Sequence, residues 1–374
     1  MTVGLGTTVL AKGEITGHLD GIAVYTKHLL NALPLAGTEI SNFAFLTAKQ
    51  SVQYQRKHTA LGKFSYQGLL SATTGLPLLT QQRVEQKVSL FHATDHQIPR
   101  LKNIPVVATI MDPIPLIHPE WVGGGNRQLK NWFFKKSAHW ADHIITISDY
   151  SADAIEEHFN IPKSRISVVP LGVDEQCFTR SSEQQKQTIL AKYNLPENYF
   201  IFIGTLQPRK NVERLLAAFL QLPLAVQQTH PLVIVGRHGW NCETLIEQLT
   251  ALKDSKRVYW LDYVPFEDKY PLLQSSVAMV FPSLFEGFGL PVLEAFASEI
   301  PVITSNVTSL PEVAGDAALL VDPYSLDEMT GAMLNIANDS SLQSELVHKG
   351  LQRVATFSWQ QTAKQTALIY DSMS

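Results

Sequence analysis

The feature that most limits the possible folds is a regular alternation of short apolar runs with stretches of helical or polar character. In the first half of the chain, Thr2–Leu10 alternates like a strand and Gly21–Leu33 has helical spacing;. Further strands are predicted at Phe43–Thr47, Val88–His92, Val106–Ile110 and His143–Ser148. Strands and helices in alternation indicate a parallel sheet with crossover helices.

The second half repeats this rhythm. Its predicted strands are Phe200–Ile203, Leu232–Val235, Val258–Leu261, Ala278–Phe281 and Val302–Thr304, and its predicted helices are Val212–Phe219, Thr244–Leu252, Tyr270–Gln274 and Pro291–Ala297. Each strand is short and strongly apolar, as strands buried on both faces are. We therefore predict an α/β protein with two doubly wound halves.

A chain of 374 residues exceeds the size at which one hydrophobic core keeps growing, so two domains are expected;. Arg165–Pro170 looks like the last strand of the first half, and the polar stretch Thr179–Lys186 then suggests a boundary;. The predicted domains are residues 1–178 and 187–355. Residues 356–374 follow as a terminal segment, in which Ser358 caps a helix;.

Composition excludes several classes of protein. The 45% apolar and 17% charged residues are typical of a globular chain, and a net charge of -4 gives no reason to expect nucleic acid as a partner;. The N-terminus lacks a secretory signal and no apolar run reaches the roughly 18 residues of a membrane span, so a cytoplasmic location is expected;. Cys177 and Cys242 are predicted to be free thiols rather than zinc ligands;.

The segment after the strand Ala278–Phe281 carries candidate ligand-binding groups. In doubly wound sheets, ligands bind beyond the carboxyl ends of strands, where helices begin and their amides point outward. Gly289 and Leu290 open such a helix, so their amides should face an anion, and Glu294 lies one turn further along;. Glu286, in the loop, is a second hydroxyl acceptor. A blander interpretation is also open, in which Glu294 complements the helix dipole and Glu286 is a solvated loop residue.

A second segment, G-T-L-Q-P-R-K-N (204–211), follows the strand Phe200–Ile203. It places two adjacent cations, Arg209 and Lys210, just before a helix, where side chains and helix dipole together suit a diphosphate;. An exposed Arg-Lys pair alone usually marks a solvated turn. The two segments together supply diphosphate cations and hydroxyl acceptors.

These motifs resemble those of the retaining glycosyltransferases of family 4. The sequence F-E-G-F-G-L-P-V-L-E-A, with seven residues between Glu286 and Glu294, resembles the E-x7-E signature of that family. The resemblance extends to segments 21–25, 146–151, 169–174, 204–211, 233–240 and 357–363, and so covers nearly the whole chain. It implies the GT-B fold, with two facing Rossmann-like domains and a final helix that crosses back to the first.

The resemblance also implies individual roles. Arg209 and Lys210 would hold the donor diphosphate and Glu294 the ribose hydroxyls. Glu286, with the amides of Phe288, Gly289 and Leu290, would hold the hexose and phosphate. Gly204 opens the donor loop, and Gly21 would belong to an N-terminal loop where donor and acceptor meet. No metal ion and no cofactor is implied.

One position departs from the family pattern. Relatives commonly carry His-Asp after the strand that corresponds to Val106–Ile110, whereas this chain has Met111-Asp112. Asp112 fits a catalytic role, but the histidine is absent, and His118 is a weak substitute as an acceptor contact.

Other candidates are less specific. His92 and His96 flank Asp95 but follow a strand, which disfavours a metal site and leaves acceptor binding by His92 or ordinary packing;. Residues 126–136 interleave cations with aromatic side chains, which suits either an interfacial helix on an anionic membrane or core packing beneath a basic face;. Gly4-Leu5-Gly6 lacks the third glycine of a dinucleotide fingerprint, so that function is rejected;.

The resemblance favours transfer of a hexosyl group, with retention, from a nucleotide sugar to a glycan or lipid-linked acceptor. Around Val106–Trp121 and Gly236–Trp240 the chain resembles mannosyltransferases of surface polysaccharide synthesis, which suggests GDP-mannose as the donor. A UDP-sugar-dependent transferase, a phosphorylase or epimerase of the same fold, and a silent sugar-nucleotide binder are alternatives. A hydrolase using Glu286 and Glu294 fits less well, because the Arg-Lys pair would have no ligand.

Overall fold

Two compact units make up the protein in the computed structural model, which describes residues 1–122 and 125–373. The first unit comprises Met1–Gly172 together with the segment that starts at Ser358, and the second is Val173–Phe357. Each unit is built around one parallel β-sheet. The described residues contain no helix both long enough and apolar enough to cross a bilayer.

The sheet of the first unit has seven described strands in the order β3-β2-β1-β4-β5-β6-β7, all parallel. These strands are β1 (Thr2–Gly6), β2 (Glu39–Ala44), β3 (Thr59–Ala60), β4 (Leu90–Ala93), β5 (Val106–Thr109), β6 (His143–Thr146) and β7 (Ile166–Val168). Every residue of β4 and β5 is buried, as continuous apolar strands covered by helices on both faces require;.

The helices of the first unit lie between these strands, with one added from the end of the chain. They are α1 (Thr8–Thr16), α2 (Gly21–Ala32), α3 (Ala48–Gln53), α4 (Phe64–Thr74), α5 (Gln81–Glu85), α6 (Ile114–Ile117), α7 (Arg127–Ala138), α8 (Asp149–Phe159) and α18 (Trp359–Ser372). Ser358 caps α18 through the amide of Gln361, as predicted.

The final helix belongs to the first unit. The ring of Trp359 stacks on His28 of α2 with centroids 4.5 Å apart, and Thr362 Oγ1 donates a hydrogen bond of 2.8 Å to the carbonyl of Pro170. A Cβ on Gly172 would lie 2.1 Å from the amide nitrogen of Trp359, so only glycine allows this approach;. The prediction that the final helix packs on the first domain is confirmed.

The second unit has a six-stranded parallel sheet in the order β10-β9-β8-β11-β12-β13. Its strands are β8 (Tyr199–Ile203), β9 (Leu232–Val235), β10 (Val258–Leu261), β11 (Ser276–Phe281), β12 (Val302–Ser305) and β13 (Leu319–Val321). Its helices are α9 (Glu183–Tyr193), α10 (Val212–Leu220), α11 (Leu224–Thr229), α12 (Glu243–Ala251), α13 (Phe266–Gln274), α14 (Leu290–Ala297), α15 (Leu310–Ala314), α16 (Leu326–Asn338) and α17 (Ser340–Val354).

Both sheets reverse their strand order at one internal point. In the first sheet this point lies between β1 and β4, and in the second it lies between β8 and β11. Connections leave in opposite directions from such a pair of strands, so a crevice opens beyond their carboxyl ends. The fold therefore provides one ligand crevice in each unit.

Two boundaries differ from the expectations. The strand expected at Thr2–Leu10 ends at Gly6, and α1 starts at Thr8, because the apolar residues after Thr7 form the buried face of a helix;. The chain passes between units at Gly172 and Val173 rather than within Thr179–Lys186. The boundary lies before Cys177 because this residue is buried in the second unit, with its Sγ 3.0 Å from the hydroxyl of Tyr270.

Candidate functional site

The two segments singled out in the sequence meet at the crevice of the second unit. Residues 204–211 follow β8 and residues 282–289 follow β11, the neighbouring strand across the reversal point. The Leu284 amide donates a 2.7 Å hydrogen bond to the Arg209 carbonyl, and Asn211 Nδ2 donates to the Pro282 carbonyl at 3.0 Å. One main-chain hydrogen bond and one from the Asn211 side chain thus fix the two loops to each other.

Arg209, Lys210 and Glu286 form one charge cluster, which we call the donor-loop cluster; Lys210 and Glu286 are buried, and Arg209 is partly exposed. Arg209 Nη1 lies 2.9 Å from Glu286 Oε2, and Lys210 Nζ lies 2.6 Å from Glu286 Oε1. Lys210 is 7% exposed and Glu286 is 8% exposed. The cluster therefore holds two cations and one carboxylate, which leaves an excess positive charge where solvent screens it weakly.

Burial and mutual attraction set the pKa values in this cluster. Burial lowers the pKa of the Lys210 ammonium to about 8, with the Arg209 charge acting in the same direction and Glu286 opposing both. Burial alone would raise the pKa of Glu286, but the charges of Lys210 and Arg209, with hydrogen bonds from Lys210 and Ser283, lower it to about 2. Glu286 is thus ionised at neutral pH, and an anionic ligand beside Lys210 would favour the charged form of its ammonium group.

The start of α14 is open to a ligand on the same edge. Gly289 has a φ of +118° and precedes the helix, and no described side chain caps the first turn. A Cβ at this position would also lie 2.8 Å from Leu310 Cδ2. The loop before it is fixed by Ser309, whose Oγ donates to the carbonyls of Glu286 and Phe288. Amides at such a helix start favour an anion.

Glu294 lies in α14, as expected, but its carboxylate has a partner that sequence reasoning missed. Its Oε2 is 2.6 Å from Nζ of Lys269 in α13, and both side chains are about one-fifth exposed. An ion pair that is partly open to solvent fixes the direction of the carboxylate and leaves its other oxygen available for hydroxyl groups. The expected ribose contact stays a prediction.

The loops after β8 and β9 approach so closely that glycine is required. The amide of Gly204 donates to the carbonyl of Val235 at 2.9 Å, and the amide of Leu206 donates to the carbonyl of Arg237 at 2.9 Å. A Cβ added at Gly236 would lie 1.9 Å from the carbonyl oxygen of Gly204. The 233–240 motif therefore supports the position of the 204–211 loop.

Candidate residues of the first unit lie at the carboxyl edge of its sheet. Gly21 begins α2, capped by Asp20, and an added Cβ would meet nothing within 4 Å. Asp112 follows β5, and its Oδ1 accepts a 3.0 Å hydrogen bond from the Ile114 amide. His118 stacks on Trp121 at 3.8 Å. The roles assigned to Gly21, Asp112 and His118 remain predictions.

His92 has a structural role rather than the expected acceptor contact. Its side chain is 0% exposed, and its two ring nitrogens lie 2.6 Å from the Tyr370 hydroxyl and 2.7 Å from Thr109 Oγ1. Burial lowers the pKa of His92 to about 3, so the ring is neutral. The strand position that suggested a cleft contact instead points into the packing between β4 and α18.

The remaining candidates are also placed. Within residues 1–122 and 125–373, no group of three or more His, Cys, Asp or Glu side chains is arranged to hold a metal ion. Cys177 and Cys242 are buried free thiols. In helix α7, Phe134 is buried, as core packing requires, whereas Leu129 and Trp132 are 50% and 44% exposed. Membrane contact by residues 126–136 stays a prediction.

Comparisons with known sequences agree with these observations. The family model described as "Glycosyltransferase Family 4" matches residues 19–176, and that described as "Glycosyl transferases group 1" matches residues 185–353. The chain is 37% identical over 243 residues to O-antigen chain mannosyltransferase B of Escherichia coli, which covers 64% of each chain. It is 30% identical to the serotype-specific mannosyltransferase WbdA of Escherichia coli over 69% of this chain and 32% of that protein. The matches thus span less than two thirds of these relatives.

Solved structures show the same fold. Sucrose-phosphate synthase from Thermosynechococcus elongatus superimposes with a TM-score of 0.75 at 20% identity, covering 100% of this chain and 98% of that chain. The Anabaena protein HepE, solved in complex with UDP and glucose, has a TM-score of 0.75 at 16% identity, covering 100% of both chains. The two parallel sheets and the returning final helix are those of the GT-B fold.

Proposed function

Because the chain belongs to the retaining glycosyltransferases of family 4, we propose that it transfers a hexosyl group from a nucleotide sugar, and that this hexose is mannose. The observation that carries the proposal is the donor-loop cluster. Its excess positive charge lies beside the open start of α14, in the crevice between β8 and β11. A diphosphate satisfies both features.

Each group of the cluster has a role in this proposal. Arg209 and Lys210 bind the donor diphosphate and stabilise the charge that develops when the nucleoside diphosphate leaves. Glu286, held by both cations, accepts hydrogen bonds from the hexose hydroxyls. Glu294, directed by Lys269, accepts hydrogen bonds from the ribose hydroxyls. The amides of Phe288, Gly289 and Leu290 face the donor phosphate.

The proposed chemistry is front-face displacement. The bond between the anomeric carbon and the phosphate oxygen breaks, the acceptor hydroxyl attacks from the same face, and the departing phosphate oxygen takes its proton. Asp112, which follows β5 in the first unit, is proposed as a further catalytic residue. Glu286 is unsuited to act as a general acid, because its pKa of about 2 keeps it ionised;. That property argues against a hydrolase with two catalytic glutamates.

The donor is proposed to be GDP-mannose. Support comes from the two Escherichia coli relatives, both of which are described as mannosyltransferases. The HepE structure holds UDP and glucose in the same fold, which makes a UDP-sugar the principal alternative. Titration calorimetry with GDP and UDP decides between them. We expect GDP to bind at least tenfold more tightly, whereas tighter binding of UDP would overturn the choice of donor.

The acceptor is proposed to be a glycan or lipid-linked glycan of a bacterial surface polysaccharide, used at the cytoplasmic face of the inner membrane. The relative described as an O-antigen mannosyltransferase supports this class. Helix α7 carries four cations and no carboxylate, and its exposed Leu129 and Trp132 suit the membrane interface;. Sedimentation with vesicles tests this contact. The double variant Lys135→Gln with Lys136→Gln should bind anionic vesicles less tightly than the wild type does. Equal binding of the wild type to anionic and neutral vesicles would contradict the membrane contact.

A further inference from the structure

Asn211 departs from the ordinary role of an asparagine at the start of a helix. It directly precedes α10, where asparagine usually has an extended backbone and accepts a hydrogen bond from one of the first helical amides;. Here its φ is +61° and its side chain makes no capping bond. Asparagine is one of the few residues that adopt this left-handed conformation readily. A capping residue that leaves its helix uncapped indicates that its side chain serves another contact.

The left-handed conformation ends the turn that carries the two cations. Residues Pro208–Lys210 form one turn of 3₁₀-helix, and the Asn211 amide donates a 3.1 Å hydrogen bond to the carbonyl of Pro208. A left-handed residue is the common way to end a helical turn. Because α10 starts at the next residue, Asn211 is the joint between this turn and the helix. Its position therefore determines where Arg209 and Lys210 lie.

The side-chain amide of Asn211 bridges two other loops. Its Nδ2 donates a 3.0 Å hydrogen bond to the carbonyl of Pro282, directly after β11, and a 2.7 Å bond to the carbonyl of Pro323, after β13. An amide nitrogen has two hydrogens, so both are used. Asn211 is 4% exposed, so water competes little for these bonds;. The loops after β8, β11 and β13 thus meet at one buried side chain.

Arg214 fixes the orientation of this amide. Its Nη1 donates a 2.9 Å hydrogen bond to Asn211 Oδ1, so the amide oxygen faces Arg214 and the amide nitrogen faces the two carbonyls. The reverse orientation would place the amide oxygen against two carbonyl oxygens, none of which can donate. The guanidinium of Arg214 lies 5.0 Å from the centroid of the Tyr324 ring;. Contacts on both sides of the amide therefore agree on one orientation.

We propose that Asn211 is a positioning residue for the donor diphosphate, because its two hydrogen bonds hold the turn with Arg209 and Lys210 against the loop with Glu286. This inference rests on the proposed binding of a nucleotide sugar at the donor-loop cluster. Lys210 Nζ lies 2.6 Å from Glu286 Oε1 across the same two loops, so a shift of either loop separates these groups. A displacement of about 1 Å can slow a reaction about a hundredfold. Asn211 thus acts through the two cations.

Calorimetry with GDP, and with guanosine as its competitor, tests the proposal; UDP and uridine replace them if the wild type prefers UDP. Asn211→Gly keeps the left-handed backbone, which glycine adopts freely, and removes both bridging hydrogen bonds. We expect GDP to bind at least tenfold more weakly and guanosine to bind as it does to the wild type, since only GDP carries the diphosphate. The matched control is Asn194→Gly, which makes the same change at a φ of +52° at the end of α9 and should leave GDP affinity unchanged.

Two results would overturn the proposal. Unchanged GDP affinity in Asn211→Gly would mean that the bridge does not position the cations, and equal weakening of GDP and guanosine would indicate a general effect on the fold. If Asn211→Gly does not fold, Asn211→Asp takes its place, because aspartate keeps the size of the side chain but cannot donate to the two carbonyls. Unchanged GDP affinity in that variant would overturn the proposal equally. Failure of the proposed function appears separately, as an absence of nucleoside diphosphate binding by the wild type.

Discussion

Nζ of Lys210 lies 2.6 Å from Oε1 of Glu286, and this buried contact joins the loops that follow two adjacent strands of the second sheet. The net charge of this site is positive, because Arg209 also contacts Glu286, through the Oε2 atom of the carboxylate. One buried and one partly exposed cation that share a single carboxylate are incompletely compensated, which makes an anionic ligand favourable at this point;.

Removing either cation should weaken binding of a nucleoside diphosphate. Charge-assisted hydrogen bonds contribute about 1.5–3 kcal/mol each, so Arg209→Ala and Lys210→Ala should each raise Kd by about 10- to 100-fold in calorimetry. The matched control is Lys186→Ala, which removes a partly exposed cation, paired with Glu183, from the same unit. Unchanged affinity in Arg209→Ala would remove the diphosphate assignment.

Nucleoside diphosphate binding should depend on pH through Lys210. Its pKa of about 8 means that the ammonium form dominates below pH 8 and is lost above it, while a bound diphosphate favours the charged form;. Between pH 7 and pH 9, Kd should therefore rise by up to about tenfold per pH unit above pH 8. Lys210→Arg, which stays charged, should show a flat profile, and parallel profiles for both proteins would refute the role of Lys210.

Replacement of Glu286 should separate stability from ligand binding. In Glu286→Gln the two cations lose their shared carboxylate, so the free energy of unfolding should fall by about 3 kcal/mol without ligand. The pKa of Glu286 is lowered to about 2, so this stabilisation is present above pH 4.5 and is lost as pH falls toward 2;. Differential scanning calorimetry should show a larger rise in Tm with GDP for the variant than for the wild type. An equal rise would mean that the excess positive charge does not attract the ligand.

Gly236→Ala should disrupt the donor loop. The new Cβ would lie 1.9 Å from the carbonyl oxygen of Gly204, which forces the loops after β8 and β9 apart. We expect a fall in Tm of several degrees and weaker GDP binding. Gly331→Ala is the matched control, because its Cβ meets nothing within 4 Å inside helix α16, where alanine should stabilise by about 0.5–1 kcal/mol;. Similar effects of the two substitutions would contradict the close-approach argument.

Much of the second unit could be predicted from the sequence. Strands Leu232–Val235 and Val258–Leu261 have the predicted bounds, because strands of a buried parallel sheet are continuous apolar runs with polar ends;. The helices α16 and α17 were not predicted, although both follow good capping residues, Ser325 and Asp339. The sequence thus contains the capping signals of both helices, but no functional motif lies in these two segments.

The contacts inside the site could not be predicted in the same way. Arg209 and Glu286 were both candidates, but their ion pair depends on β8 and β11 being neighbours, which is a property of strand order rather than of local sequence. The partnership of Lys269 with Glu294 depends on how α13 packs beside α14. The sequence left two roles open for His92 for the same reason, since its partner Tyr370 comes from the far end of the chain.

Release of nucleoside diphosphate by the purified protein tests the proposed function most directly, with GDP-mannose, UDP-glucose or UDP-N-acetylglucosamine as donor and a lipid-linked glycan as acceptor. We expect acceptor-dependent release of GDP from GDP-mannose, at a rate reduced at least a hundredfold in Arg209→Ala. Release from none of the three donors, or release that Arg209→Ala leaves unchanged, would contradict it.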